Sequence, residues 1–140
     1  MPHHLRYQSQ NWATHHITSR CRRARYAACE GGTTLAVCTI DDGNTENGLC
    51  NMAGNVYEWV QDEWHDNYEG APENGHGWCT GDCPINADDQ NYDANNQVNH
   101  VIRGGAWDYE ESFIRSTYRS YAAPQTPYIR AGGRLARSIQ

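Results

Sequence analysis

Eight consecutive residues, Asn51-Met-Ala-Gly-Asn-Val-Tyr-Glu58, bring two amide side chains, a glycine and a carboxylate together. Such a set can wrap a hard cation in side-chain and main-chain oxygens, the donors that Ca²⁺ takes. On composition alone the same residues read more simply as a turn entering a strand. Cys79 and Cys83 form a Cys-x3-Cys in a loop of Gly, Asp and Pro, with no second close pair to complete a zinc tetrahedron. That arrangement favours a disulfide over a metal site. His3, His4, His15, His16, His65, His76 and His100 show no helical His-x3-His pattern and read as ordinary surface residues. No Gly-x-Ser-x-Gly, P-loop or dinucleotide fingerprint is present.

A second group lies between Trp107 and Tyr128, where Trp107, Asp108, Tyr109, Glu110, Phe113, Tyr118 and Tyr121 crowd together. Tyrosine offers contact area at low entropic cost, so such a group on a rigid frame suits a recognition surface. The same rings could equally be the core of the domain.

These residues need elements to hold them. Residues 1–18 mix His, Gln, Asn and Thr without a period and read as irregular. Ser19 to Glu30 is rich in helix formers and ends at Gly31-Gly32, which predicts one short helix. Leu35 to Ile40 reads as a strand, followed by a polar turn from Asp41 to Gly48. From Val56 to Asp62 apolar and polar residues alternate, predicting a strand with Val56, Glu58 and Val60 on one face and Tyr57 and Trp59 on the other. Asn67 to Asn99 is a long polar stretch of the kind that is usually functional or stiffened by an ion. Val101 to Trp107 reads as a core strand whose glycines admit a second backbone.

At 140 residues the chain holds one domain. Aliphatic residues are scarce against 5 Trp, 9 Tyr and 13 Gly, so the core must be largely aromatic and the fold loop-rich. A net charge of -6 argues against a nucleic-acid partner. No apolar stretch reaches membrane-spanning length, so no membrane insertion is expected. Six cysteines in so small a chain point to disulfides and hence to an extracytoplasmic or secreted setting, although no secretory signal is visible.

Four blocks then carry a resemblance. Gly48-Leu-Cys-Asn-Met-Ala-Gly-Asn-Val-Tyr-Glu-Trp-Val-Gln-Asp62 resembles the "GLYDMAGNVWEWVWD" signature of the formylglycine-generating-enzyme, or sulfatase-modifying-factor, domain. Val101-Ile-Arg-Gly-Gly-Ala-Trp107 resembles its "RVLRGGSW" strand, Arg115-Ser-Thr-Tyr-Arg119 its "RSAYR", and Gly132-Gly-Arg-Leu-Ala-Arg137 its closing "GFRLAR". The blocks follow the family's order and spacing. Before Gly48 the likeness thins: Arg25-Tyr-Ala-Ala-Cys-Glu-Gly-Gly-Thr-Thr34 resembles "EWEYAARGGTT", and the "YPWGN" expected next is missing. The resemblance implies an α+β, C-type-lectin-like fold with short helices and small antiparallel sheets, shortened here to residues 19–140.

It also implies a Ca²⁺ site at Asn51, Gly54, Val56 and Glu58. Catalytic members of the family hold copper between two cysteines, and soft Cu(I) needs such thiolates. An ungapped reading places Tyr109 and Ile114 where those cysteines would be. In noncatalytic relatives, including variable ligand-binding proteins diversified by retroelements, the stretch after the "GGS" strand forms the binding face. The expectation is therefore a noncatalytic, calcium-stabilised lectin-like module for a protein or glycan ligand. The alternative is a metal-dependent oxidase of the formylglycine-generating type acting on a protein cysteine.

Overall fold

A computed structural model describes residues 20–81, 83 and 98–134. The expected irregular segment 1–18 and most of the second half of the 67–99 loop lie outside them. A four-stranded mixed sheet in the order β3-β2-β1-β4 organises the chain. Its strands are β1 (Tyr57–Glu63), β2 (His100–Arg103), β3 (Ser120–Ala122) and β4 (Ala131–Gly132). β1 and β3 run antiparallel to β2, whereas β4 joins β1 in parallel, so the sheet is mixed rather than antiparallel throughout. Arg20 and Cys21 are helical, and short 3-10 turns at Asp41–Gly43 and Glu111–Phe113 are the other helical elements among the described residues.

The alternation read in β1 survives at its start. Tyr57 is buried and packs with Ile102 and Ala106, with Trp59, Tyr109, Tyr118 and Tyr128 around them. Tyr57 meets Tyr109 edge-on at 5.4 Å and stacks on Tyr128 at 6.3 Å. Ring pairs of this kind add about 0.5–1.5 kcal/mol beyond the area they bury. The small core is thus built from tyrosine, as the shortage of aliphatic residues requires.

Of two expected elements, one stops early and one is absent. The helix over Ser19–Glu30 gives way to turns after Cys21 and a bridge from Arg25 to Gly54. Its reason is covalent: Cys21 and Cys29 are disulfide-bonded with Cα atoms 5.6 Å apart. Eight residues of α-helix would separate them by about 12 Å. Tyr26 and Cys29 are nonetheless buried together in a second small core with Ala24. The strand over Leu35–Ile40 is likewise a turn, because Cys38 sits at φ 64 and is bonded to Cys50. Left-handed backbone at a non-glycine residue interrupts any strand. Leu35 instead pairs with a side chain, donating to Asn55 Oδ1 at 2.8 Å and accepting from Asn55 Nδ2 at 3.1 Å.

The expected close approach at the glycines is seen at Gly105. A Cβ there would lie 2.9 Å from the Phe113 carbonyl oxygen and 2.7 Å from Ile114 Cγ2. Beside it, the Gly104 carbonyl accepts the Gly54 N–H at 2.6 Å, which ties β2 to the Asn51–Glu58 segment.

Candidate functional site

Asn51 and Asn55 both adopt positive φ, so the backbone doubles back twice before entering β1. Asn51, Asn55, Val56, Glu58 and Arg134 line one cavity of about 120 Å³. Gly54 does not line it. Gly54 is buried below, where a Cβ would fall 1.9 Å from the Arg25 carbonyl oxygen, so only glycine fits. Three of the four residues expected to hold Ca²⁺ therefore share the cavity, and the fourth shapes the turn beneath them.

Asn51 is buried, and neither its Oδ1 nor its Nδ2 has a hydrogen-bond partner. An orphaned buried amide costs about 1–3 kcal/mol. Its oxygen and the Glu58 carboxylate are hard donors of the kind Ca²⁺ takes, and the carboxylate would have to be released from Arg134 to serve. No three His, Cys, Asp or Glu side chains converge among the described residues, so a cation here would rest on amide and main-chain oxygens besides Glu58.

Sequence reasoning missed the partner of Glu58. Arg134 donates from Nε to Glu58 Oε2 at 2.8 Å, from Nη2 to Glu58 Oε1 at 2.5 Å, and from Nη2 to the Cys50 carbonyl at 2.7 Å. The carboxylate in turn raises the Arg134 pKa above its ordinary value. The signal was present in the "GFRLAR"-like block, but spacing alone could not place it against β1.

The expected ligand group is split by the sheet. Tyr109, Phe113 and Tyr118 form a run of edge-on contacts, at 5.1 Å and 5.0 Å, that continues the Tyr57 core. Tyr109 and Tyr128 share a hydroxyl contact of 3.2 Å, and burial followed by that bond pushes the Tyr128 pKa up to about 12. Tyr121 pairs with Val101 in register and so points to the other face, half exposed, against Trp64 at 4.8 Å. Glu110 is exposed. Asp108 accepts from Arg130 Nε at 2.6 Å. Trp107 is half-buried, its N–H bonded to the Asn55 carbonyl at 3.0 Å.

Tyr109 and Ile114, which the ungapped reading sets against the family's copper-binding cysteines, supply no thiolate. All six cysteines are bridged in pairs, Cys21–Cys29, Cys38–Cys50 and the expected Cys79–Cys83. The residues present do not fit that metal.

The profile of the sulfatase-modifying factor enzyme 1-like domain matches residues 4–139. Among solved structures, PvdO from Pseudomonas aeruginosa is similar at 35% identity and a TM-score of 0.54, over 73% of this chain and 33% of that one. Treponema denticola variable protein 1 is similar in fold, at 21% identity and a TM-score of 0.55, over 83% of this chain and 36% of that one. The chain thus spans about a third of each. No match is found among curated proteins. With the profile covering nearly the whole chain, the chain belongs to the sulfatase-modifying factor enzyme 1-like domain family.

Proposed function

We propose that this domain is a noncatalytic, lectin-like binding module for a protein or glycan, stabilised by one Ca²⁺ at the Asn51–Glu58 segment. The observation that carries the reading is the fate of the cysteines: all are consumed in disulfides, and Tyr109 and Ile114 are packed side chains where oxidase chemistry would need thiolates. The orphaned Asn51 amide supports the calcium part, since a cation is what would satisfy its oxygen. Three disulfides support an extracytoplasmic setting. No helix of the described residues is long and apolar enough to cross a membrane.

The test pairs an activity assay with a binding screen. Purified protein loaded with Cu(I) is offered a cysteine-containing, sulfatase-type peptide, and the same protein is screened with calcium on glycan and protein arrays. No formylglycine together with a specific, saturable hit is the expected result. Copper-dependent conversion of the peptide would establish the oxidase instead.

A further inference from the structure

A larger cavity, of about 210 Å³, lies away from the calcium segment and is lined by Asp62, Glu63, Tyr68, Trp78, Arg103 and Arg119. Val101 and Arg103 reach it from the face of β2 opposite Ile102, hence from the side of the sheet away from the Tyr57 core. Regular alternation would send the consecutive residues Asp62 and Glu63 to opposite faces. A shift of register between Trp59 and Glu63 lets both line the cavity. Bulges commonly re-aim side chains in this way beside binding sites.

Each charged group here is held in place without being neutralised. Asp62 accepts the Trp78 N–H at 2.8 Å and Glu63, only 5% exposed, accepts the Thr80 N–H at 2.7 Å. Arg103 donates to the Ser116 and Tyr118 carbonyls and, at 3.0 Å, to the Tyr68 hydroxyl. The Arg119 guanidinium lies over the rings of Trp64 and Tyr68, at 4.3 and 4.5 Å. Among the described residues none of these four takes part in an ion pair. A guanidinium stacked by its face keeps its N–H edge for a carboxylate.

Two cations and two anions in one cavity discriminate by charge. A simple anion is drawn by the arginines and repelled by the carboxylates, and a simple cation meets the reverse. A ligand with separated opposite charges is attracted by both sets. The volume is below that of sites for drug-sized molecules and suits a single small one. Ala71, Pro72 and Val101 add an apolar wall beside Tyr68 and Trp78. We infer that this cavity binds a free α-amino acid with an apolar side chain, its carboxylate on Arg119 and its ammonium toward Asp62 and Glu63. The inference goes beyond the proposed module function, since neither the calcium segment nor Tyr121 lines the cavity.

Calorimetric titration of the wild-type protein with L-phenylalanine, N-acetyl-L-phenylalanine and phenethylamine tests it without any variant. L-phenylalanine should bind, and each analogue, lacking one charge, should bind at least about tenfold more weakly. Arg119→Gln should weaken L-phenylalanine by a similar factor, with Arg119→Lys, which keeps the charge but not the planar edge, in between. The melting temperature of each variant shows whether its fold is retained. Equal binding of the N-acetyl compound would reduce the cavity to a plain carboxylate site and overturn the inference. Absence of L-phenylalanine binding at millimolar concentration would overturn it as well, whatever the array screen finds.

Discussion

Arg134 reaches back 76 residues to grip both carboxylate oxygens of Glu58, and in doing so places a cation where the family resemblance expects Ca²⁺. Both side chains are largely shielded, at 30% and 21% exposure, so the pair is worth more than a free surface bridge. A carboxylate engaged on both oxygens has less to give an incoming ion. Any Ca²⁺ bound here would therefore compete with Arg134 for one ligand.

Arg134→Gln should lower the stability of the calcium-free protein by about 1 kcal/mol, the scale of a charged hydrogen bond partly open to water. Its melting temperature should then rise more on adding Ca²⁺ than the wild type's does. Glu58→Gln should remove most of the calcium response in either background, because a ligand bound only to the folded state stabilises it by mass action. Scanning calorimetry with chelator and with Ca²⁺ reads all of this. A wild-type melting temperature indifferent to chelator would remove calcium from the reading.

The disulfides should rank by the chain they enclose. Cys38 and Cys50 are 12 residues apart and Cys79 and Cys83 only 4. In the chain-entropy account a loop of about 15 residues contributes about 3 kcal/mol, with less for shorter ones. Replacing Cys38 and Cys50 together by Ala should cost close to that figure in urea unfolding, and replacing Cys79 and Cys83 distinctly less. Intact mass without reductant should be lower by two hydrogens for each of the three bridges.

Much of this was legible in the sequence. The Tyr57/Trp59 face of β1, the close approach at Gly105 and the Cys79–Cys83 bridge follow from alternation, glycine and loop composition. What escaped was set by long-range partners. Helix propensity between Ser19 and Glu30 is overridden by the Cys21–Cys29 bridge, and a pairing among six cysteines cannot be read from spacing. Arg134 and Arg119 occupy recognisable motif positions, yet their contacts with Glu58 and with Trp64 and Tyr68 exist only once the sheet has formed. The tyrosines after Trp107 looked like one group in sequence. Period-two alternation in β3 turns Tyr121 away from the rest.

The tyrosine core should make the fold sensitive to alkali. Burial, then the neighbouring Tyr118, Tyr109 and Tyr128, raise the Tyr57 pKa, and Tyr128 is pushed up to about 12. An unfolded tyrosine titrates near 10, so above that pH the unfolded chain has released protons that the folded chain still holds. The contribution is complete below pH 10 and is lost as the pH rises from there through 12. Urea midpoints should fall across that window, and the fall should be shallower in Tyr57→Phe. Phenolate absorbance showing every tyrosine titrating together near 10 would contradict this.

The division of the aromatic group decides how the binding face must be tested. Tyr109 touches Tyr57 and Phe113 and shares a hydroxyl contact with Tyr128, so Tyr109→Ala should destabilise the fold by about 3 kcal/mol, the low end for aromatic truncation in a core. A loss of ligand binding in that variant would therefore say little about contact. Tyr121 is half exposed and among the described residues has one ring neighbour, Trp64, so Tyr121→Ala should cost under about 1 kcal/mol. If Tyr121 anchors a protein or glycan ligand, the same variant should weaken binding by about 2 kcal/mol, near thirtyfold, with the melting temperature almost unchanged. Glu110→Ala, at an exposed residue of the same stretch, serves as the matched probe. Binding unaffected by both substitutions would move the ligand face off the stretch between Trp107 and Tyr121, while the fold and the calcium response would be untouched.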